Sequence, residues 1–195
     1  MHGLVNHSIQ LFVTTAHGKE SWLAVVEHAG LEFTDFESMM VYDDSYTPRV
    51  IDAICHVLSR MKADVLEDFG TFLVSHPGFE AVRRLLRFGG DDFVDFLHSL
   101  DDLSDSARLA VSGLNLPKVE LHAQGDNQFK LICDAQIEGY GFVMMGVLRA
   151  MADEYGALAL LDHLGHADDL ETVAITLVEN DFAEGRSFDL AANFG

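Results

Sequence analysis

The sequence predicts an α+β fold in which a helical N-terminal lobe packs on a C-terminal lobe built from a small antiparallel sheet and helices. From Leu4 to about Phe88 the apolar residues recur at helical spacing. After Gly89-Gly90 two further helices precede a change, from about Lys118, to the pattern β-β-α-β-β. The chain has 195 residues, 49% hydrophobic against 23% charged, with three prolines, which suits a single globular domain over 1–195. The helical lobe is expected over about 1–88 and the α/β lobe over 89–195.

In the first lobe the helical pattern is interrupted at Gly18, at Gly30, across Asp43 to Pro48 and at Pro77-Gly78. Ile9, Leu11, Phe12 and Val13 mark a first helix, and Trp22, Leu23, Val25 and Val26 a second. Thr47-Pro48 stands ahead of Val50, Ile51, Ile54, Val57 and Leu58, as expected of a helix with proline near its first turn. Val65, Phe69, Phe72 and Leu73 continue the theme. In the second lobe, Asp91 to Leu103 predicts a helix and Ser106 to Val111 a shorter one. Lys118 to His122 and Gln128 to Cys133 predict two strands around a turn containing Gly125-Asp126. A Met- and Gly-rich helix over about 139–155 precedes two further strands, Leu158 to Leu161 and Thr172 to Val178, around a turn containing Gly165.

Acidic residues outnumber basic ones by 32 to 12, for a formal charge of -20. Such a field repels phosphate backbones and anionic membrane surfaces, so nucleic acid is an unsuitable partner. Cys55 and Cys133 form neither a CxxC pair nor a disulfide framework, which fits a reducing compartment. No apolar run reaches the ~18 residues of a membrane span, and the start of the chain lacks the layout of a secretory signal. The expected location is the cytoplasm.

Met1-His2-Gly3-Leu4-Val5-Asn6-His7-Ser8-Ile9, Gly18-Lys19-Glu20-Ser21-Trp22, Ala29-Gly30-Leu31, the helix from Phe93 to Leu103 and Leu116-Pro117 stand in an order and spacing that resembles the haem nitric oxide/oxygen-binding (H-NOX, HNOB) family. The resemblance covers nearly the whole chain. It implies an H-NOX-like fold, a sensor role and haem b held by an axial histidine and a Tyr-x-Ser-x-Arg motif on the haem propionates. The matching positions depart from that pattern. Leu100-Asp101-Asp102-Leu103-Ser104 places Ser104 where the histidine is expected, and a neutral hydroxyl is a poor iron ligand. Cys133-Asp134-Ala135-Gln136-Ile137 replaces the motif, so Cys133, Ala135 and Ile137 supply neither the hydroxyls nor the guanidinium that pair with carboxylates. His98, six residues before Ser104, is offset by about 9 Å along a helix and roughly 120° around it.

The expectation is therefore a haem-independent sensor with no confident cofactor. Its cavity between the lobes takes a small apolar ligand such as a fatty acid, and it signals to a partner in trans, a histidine kinase or cyclic-nucleotide enzyme as the resemblance implies. The pocket residues expected are Leu4, Phe93, Leu97, Leu100, Pro117, Met144, Met145 and Leu148, with Met151 on the same helix. Flexible thioethers suit both irregular packing and adaptable binding, and the methionines read first as ordinary core residues, with a lipophilic pocket as the functional reading. Arg83, Arg84, Arg87 and Lys118 are the carboxylate partners to inspect, or else surface charges. The alternatives are a haem-binding nitric oxide/oxygen sensor with non-standard ligation, and a ligand-free protein-interaction module.

Other chemistry is thin. His98, His163 and His166 are the metal-capable side chains, the last two within Asp162-His163-x-x-His166 on an expected solvated turn. His2 and His7 matter only if the first helix folds them together. Asp134 beside Cys133 disfavours a reactive thiolate. No phosphate loop, nucleophile elbow, dinucleotide fingerprint or catalytic triad is present, so the chain is not expected to be an enzyme.

Overall fold

A computed structural model describes residues 2–87, 89–135 and 137–178. Four helices, α1 (Gly3–His17), α2 (Lys19–Ala29), α3 (Tyr46–Leu58) and α4 (Lys62–Ser75), build the N-terminal lobe. Each buries one stripe. On α1, Ile9, Phe12 and Val13 lie at helical spacing and are at most 4% exposed. They join Trp22, Val25, Val50, Ile54 and Phe69 in one apolar cluster. The breaks expected at Gly18 and Gly30 end helices in backbone conformations that glycine adopts most readily: Gly30 follows α2 at φ 61°.

A short 3₁₀ turn (Pro77–Phe79) leads into α5 (Glu80–Arg87). The helix expected over Asp91 to Leu103 is divided into α6 (Phe93–Ser99), a 3₁₀ turn (Leu100–Asp102) and α7 (Leu103–Ala110). Two adjacent aspartates favour such a tightening, because their side chains compete for local hydrogen bonds. The Asp101 carboxylate accepts from Leu121 N at 2.6 Å, which ties the turn to the sheet.

Strands β1 (Val119–Gly125), β2 (Gln128–Asp134), β3 (Ala159–Ala167) and β4 (Leu170–Leu177) form an antiparallel sheet of order β1-β2-β4-β3. Val119 of β1, Phe129, Leu131 and Cys133 of β2, and Glu171, Val173 and Ile175 of β4 are its buried positions. Between the hairpins runs α8 (Tyr140–Tyr155). The second hairpin differs from expectation. The turn lies at Asp168-Asp169, both at positive φ, the two-residue geometry that suits the strand twist. Gly165 sits instead within β3 at a bulge. Asp162, His163 and His166 are therefore strand residues, not turn residues.

The second apolar cluster spans Val74 to Ile175 and includes Phe96, Leu97, Leu100, Leu131, Met144, Leu148 and Met151. The divide between clusters falls within α4, since Phe69 belongs to the first and Val74 to the second. The helices α4 and α8 form the most extensive helix pair. Their axes approach through two glycines: a Cβ on Gly70 would stand 2.0 Å from Val143 O, and one on Gly146 would stand 2.0 Å from Glu67 O.

Candidate functional site

A cleft of about 570 Å³ lies between the two lobes, within the usual range for small-molecule sites. Its apolar wall is Val41, Pro48, Ile51, Pro117 and Ile137. The polar wall is His2, Asp44, Thr47, Lys62, Asn115 and Glu138. His2 is placed by its role as N-cap of α1: its Nδ1 accepts from Leu4 N at 3.2 Å, and residue 2 also bridges Val41. With Nδ1 accepting, a neutral ring carries its proton on Nε2. Lys62 opens α4 and pairs with Glu138 across the cleft, Nζ to Oε2 2.9 Å. The ammonium beside it holds the Glu138 carboxyl below its ordinary value. Thr47 donates to Asn6 Oδ1 at 2.8 Å. The Asn6 amide is fully buried, and its Nδ2 has no hydrogen-bond partner among the described residues.

Immediately after Glu138, α8 begins with a second polar device. Glu171 of β4, 2% exposed, accepts from Gly139 N at 2.6 Å and from Gly141 N at 2.8 Å. These are orphan donors of a helix N-terminus, and a carboxylate there also meets the positive end of the helix dipole. His163 lies 3.2 Å from Glu171 Oε2 through Nε2. Gly165 N donates to its Nδ1, so the neutral ring donates to the carboxylate. Its ring stacks on Phe142, centroids 4.0 Å apart at 12°. Both glycines are required: Gly139 has φ 91° and a Cβ on Gly141 would strike Glu171 and His163.

Of the pocket residues expected from the sequence, Pro117 lines the cleft. Phe93, Leu97, Leu100, Met144, Met145 and Leu148 lie instead in the packed C-terminal core, at most 7% exposed, and Leu4 is half-buried on α1. Arg83 and Arg87 are exposed on α5 and pair with Glu154, Arg84 faces Glu80, and none of the three borders the cleft. Lys118 and Ser104 share an open groove between α7 and β1 with Asp101, Asp105 and His122. Ile137 is on the cleft wall, Cys133 is sealed between sheet and helix at 0% exposure, and Ala135 donates its N–H to Asp169 O. His98 is exposed, its ring edge-on to Phe129. His2 and His7 take separate partners, His7 meeting Phe36 O. His166 is exposed on β3. Among the described residues, no group of three or more His, Cys, Asp or Glu could hold a metal ion.

Sequence reasoning passed over Lys62, Glu138 and Glu171. Nothing local relates residue 62 to residue 138. Glu171 did carry a signal, as an acid at an inward position of the alternation Glu171, Val173, Ile175.

Burial pushes the Cys133 thiol up to about 12, with the nearby Glu171 carboxylate adding to the shift, and burial raises Tyr140 as well. Both groups stay neutral in the folded chain while the unfolded chain ionises, so stability is full below the ordinary thiol value and falls as pH climbs towards 12. Iodoacetamide at pH 8 is expected to leave Cys133 unmodified until denaturant is added. Prompt labelling in the folded state, read by peptide mass, overturns that burial.

Residues 2–159 match the family described as haem-NO-binding. Soluble guanylate cyclase gcy-35 of Caenorhabditis elegans is 27% identical over 78% of this chain and 22% of its own length. Soluble guanylate cyclase 89Da of Drosophila melanogaster is 21% identical over 82% of this chain and 24% of its own. The chain thus spans about a quarter of the length of these relatives. Among solved structures, an Fe(II) unliganded H-NOX protein from K. algicida superposes with TM-score 0.80 at 15% identity, covering 93% of this chain and 99% of that one. An H-NOX protein from S. oneidensis in the Fe(II)NO state gives 0.76 at 20% identity, covering 92% and 100%. The α+β fold read from the sequence is the one these structures share, no helix among the described residues is long and apolar enough to cross a membrane, and the chain belongs to the haem-NO-binding family, sensors of small gas ligands.

Proposed function

We propose that this chain is a haem-independent, non-catalytic member of its family, a cytoplasmic sensor whose interlobe cleft takes a small ligand with an apolar part. The observation that carries this reading is the donor set. Ser104 faces a solvent groove, Cys133 is sealed in the core and Ile137 is aliphatic. These side chains do not fit a haem: they offer its iron no nitrogen and its propionates no cation. Phe96, Leu97, Leu100, Met144, Leu148 and Met151, all at most 2% exposed, fill the C-terminal core.

The cleft wall is drawn from both lobes, so a ligand that bridges them favours one relative position of the lobes over another. That shift is the signal, passed in trans to a histidine kinase or cyclic-nucleotide enzyme. The charge of -20 complements a basic patch on such a partner.

Expression with added haem precursor is expected to give protein without a Soret band. A stoichiometric band overturns the reading. Loss of that band in His2→Ala or His98→Ala would identify the ligand of a haem sensor with non-standard ligation, a second reading favoured by the imidazole of His2 on the cleft wall. Native mass spectrometry separates a ligand-carrying chain, which shows a small-molecule adduct, from a ligand-free interaction module, which shows a clean mass.

A further inference from the structure

Given the haem-independent reading above, we propose that the interlobe cleft is a site for an amphiphilic monocarboxylate. Lys62 and His2 take the carboxylate, and the apolar tail lies on Ile51, Pro117 and Ile137.

The cleft has a surplus of hydrogen-bond donors. His2 is 9% exposed, and the Nε2–H that remains once Nδ1 has accepted from Leu4 has no acceptor among the described residues. Behind Thr47, the buried Asn6 amide keeps an N–H₂ group with no acceptor, a costly state for a buried donor. If the amide turns over, Nδ2 donates to Thr47 Oγ1, and the threonine hydroxyl is released to donate to the ligand. Thr47 is 2% exposed and lines the cleft, so this relay lies at the ligand's edge.

Lys62 supplies the charge. Its present partner, Glu138, has a side chain 78% exposed against 30% for Lys62. A pair so open to water holds weakly and exchanges readily. A ligand carboxylate can take the ammonium while Glu138 turns to solvent.

The same rim sets the ligand's charge. Asp44 and Glu138 both border the cleft, and the chain as a whole carries -20. A monoanion that replaces Glu138 on Lys62 leaves the charge at the ammonium unchanged. A phosphate or dicarboxylate adds a further negative charge beside Asp44 and is disfavoured.

The test is calorimetric titration of the full chain with sodium octanoate and with 1-octanol, which share a tail and differ in head group. Octanoate is expected to bind at least tenfold more tightly than octanol. Lys62→Gln is expected to weaken octanoate about tenfold or more and leave octanol unchanged, since a hydrogen bond to a charged group is lost. Lys62→Arg should retain binding. Glu138→Gln should tighten octanoate about two- to fivefold by removing the competitor for Lys62. Equal binding of the two probes, no binding of octanoate to colourless protein, or a Lys62→Gln effect under twofold overturns the carboxylate site and leaves the haem-independent reading standing. A stoichiometric haem band in the protein as purified removes both.

Discussion

Gly146→Ala is expected to destabilise the chain by about 2–3 kcal/mol, although alanine is the better helix former by about 1 kcal/mol. The sign decides the matter. In a helix with open space beside it the substitution stabilises. Here the new methyl would lie 2.0 Å from Glu67 O and 2.7 Å from Thr71 N, both backbone atoms of a neighbouring helix that cannot swing aside. The helices α4 and α8 must separate, and the apolar residues packed on either side lose contact. For a chain of this size the change corresponds to a fall in Tm of about 5–10 °C. Gly70→Ala meets Val143 O at 2.0 Å and should behave alike. Because the two sites share one helix contact, the double substitution should cost less than the sum, the first having already paid for the separation. Urea titration followed by circular dichroism measures all three. A Gly146→Ala protein as stable as the parent would mean that the helices are not in backbone contact.

Glu171→Ala is expected to cost about 2–4 kcal/mol, because two buried N–H groups lose their acceptor at once and the half-buried His163 ring loses a partner. Helix caps supplied by a neighbouring residue are worth about 1 kcal/mol. This one is larger because both carboxylate oxygens are used and the site excludes water. Glu171→Gln keeps one acceptor and presents an N–H₂ group to the remaining donors, so it should fall between parent and alanine. Hydrogen exchange at the first turn of α8 should quicken more than exchange in α1, which lies in the other lobe. A Glu171→Ala protein within about 0.5 kcal/mol of the parent would show that the carboxylate does not hold the helix.

The elements were legible where the period is strong and the boundary residue has one use. Pro48 and Gly30 marked helix limits, and the switch from helical to alternating spacing located the sheet. The second hairpin was misplaced because Gly165 is a common turn residue, whereas the turn itself uses Asp168 and Asp169 at positive φ, a geometry aspartate tolerates less readily than glycine. The site was harder to read. Single positions such as Ser104 and Ile137 could be compared with a family pattern. The cleft, however, joins Lys62 to Glu138 across 76 residues, and a half-polar wall of that kind leaves no periodic trace. The methionines of α8 were open to two readings because buried thioethers serve a core and a pocket alike, and they are packed in the core.

The clamp on α8 also orders the birth of the fold. During synthesis the first turn of α8 leaves the ribosome some thirty residues before Glu171, and until that residue arrives the N–H groups of Gly139 and Gly141 have only water to bond. Although α4 waits for α8, helices α1, α2 and α3 make mostly local contacts and can assemble on the nascent chain. The sheet cannot, since β2 waits for β4 to pair with it. Helix, sheet and the Glu138 side of the cleft are thus completed together, only once β4 has been synthesised.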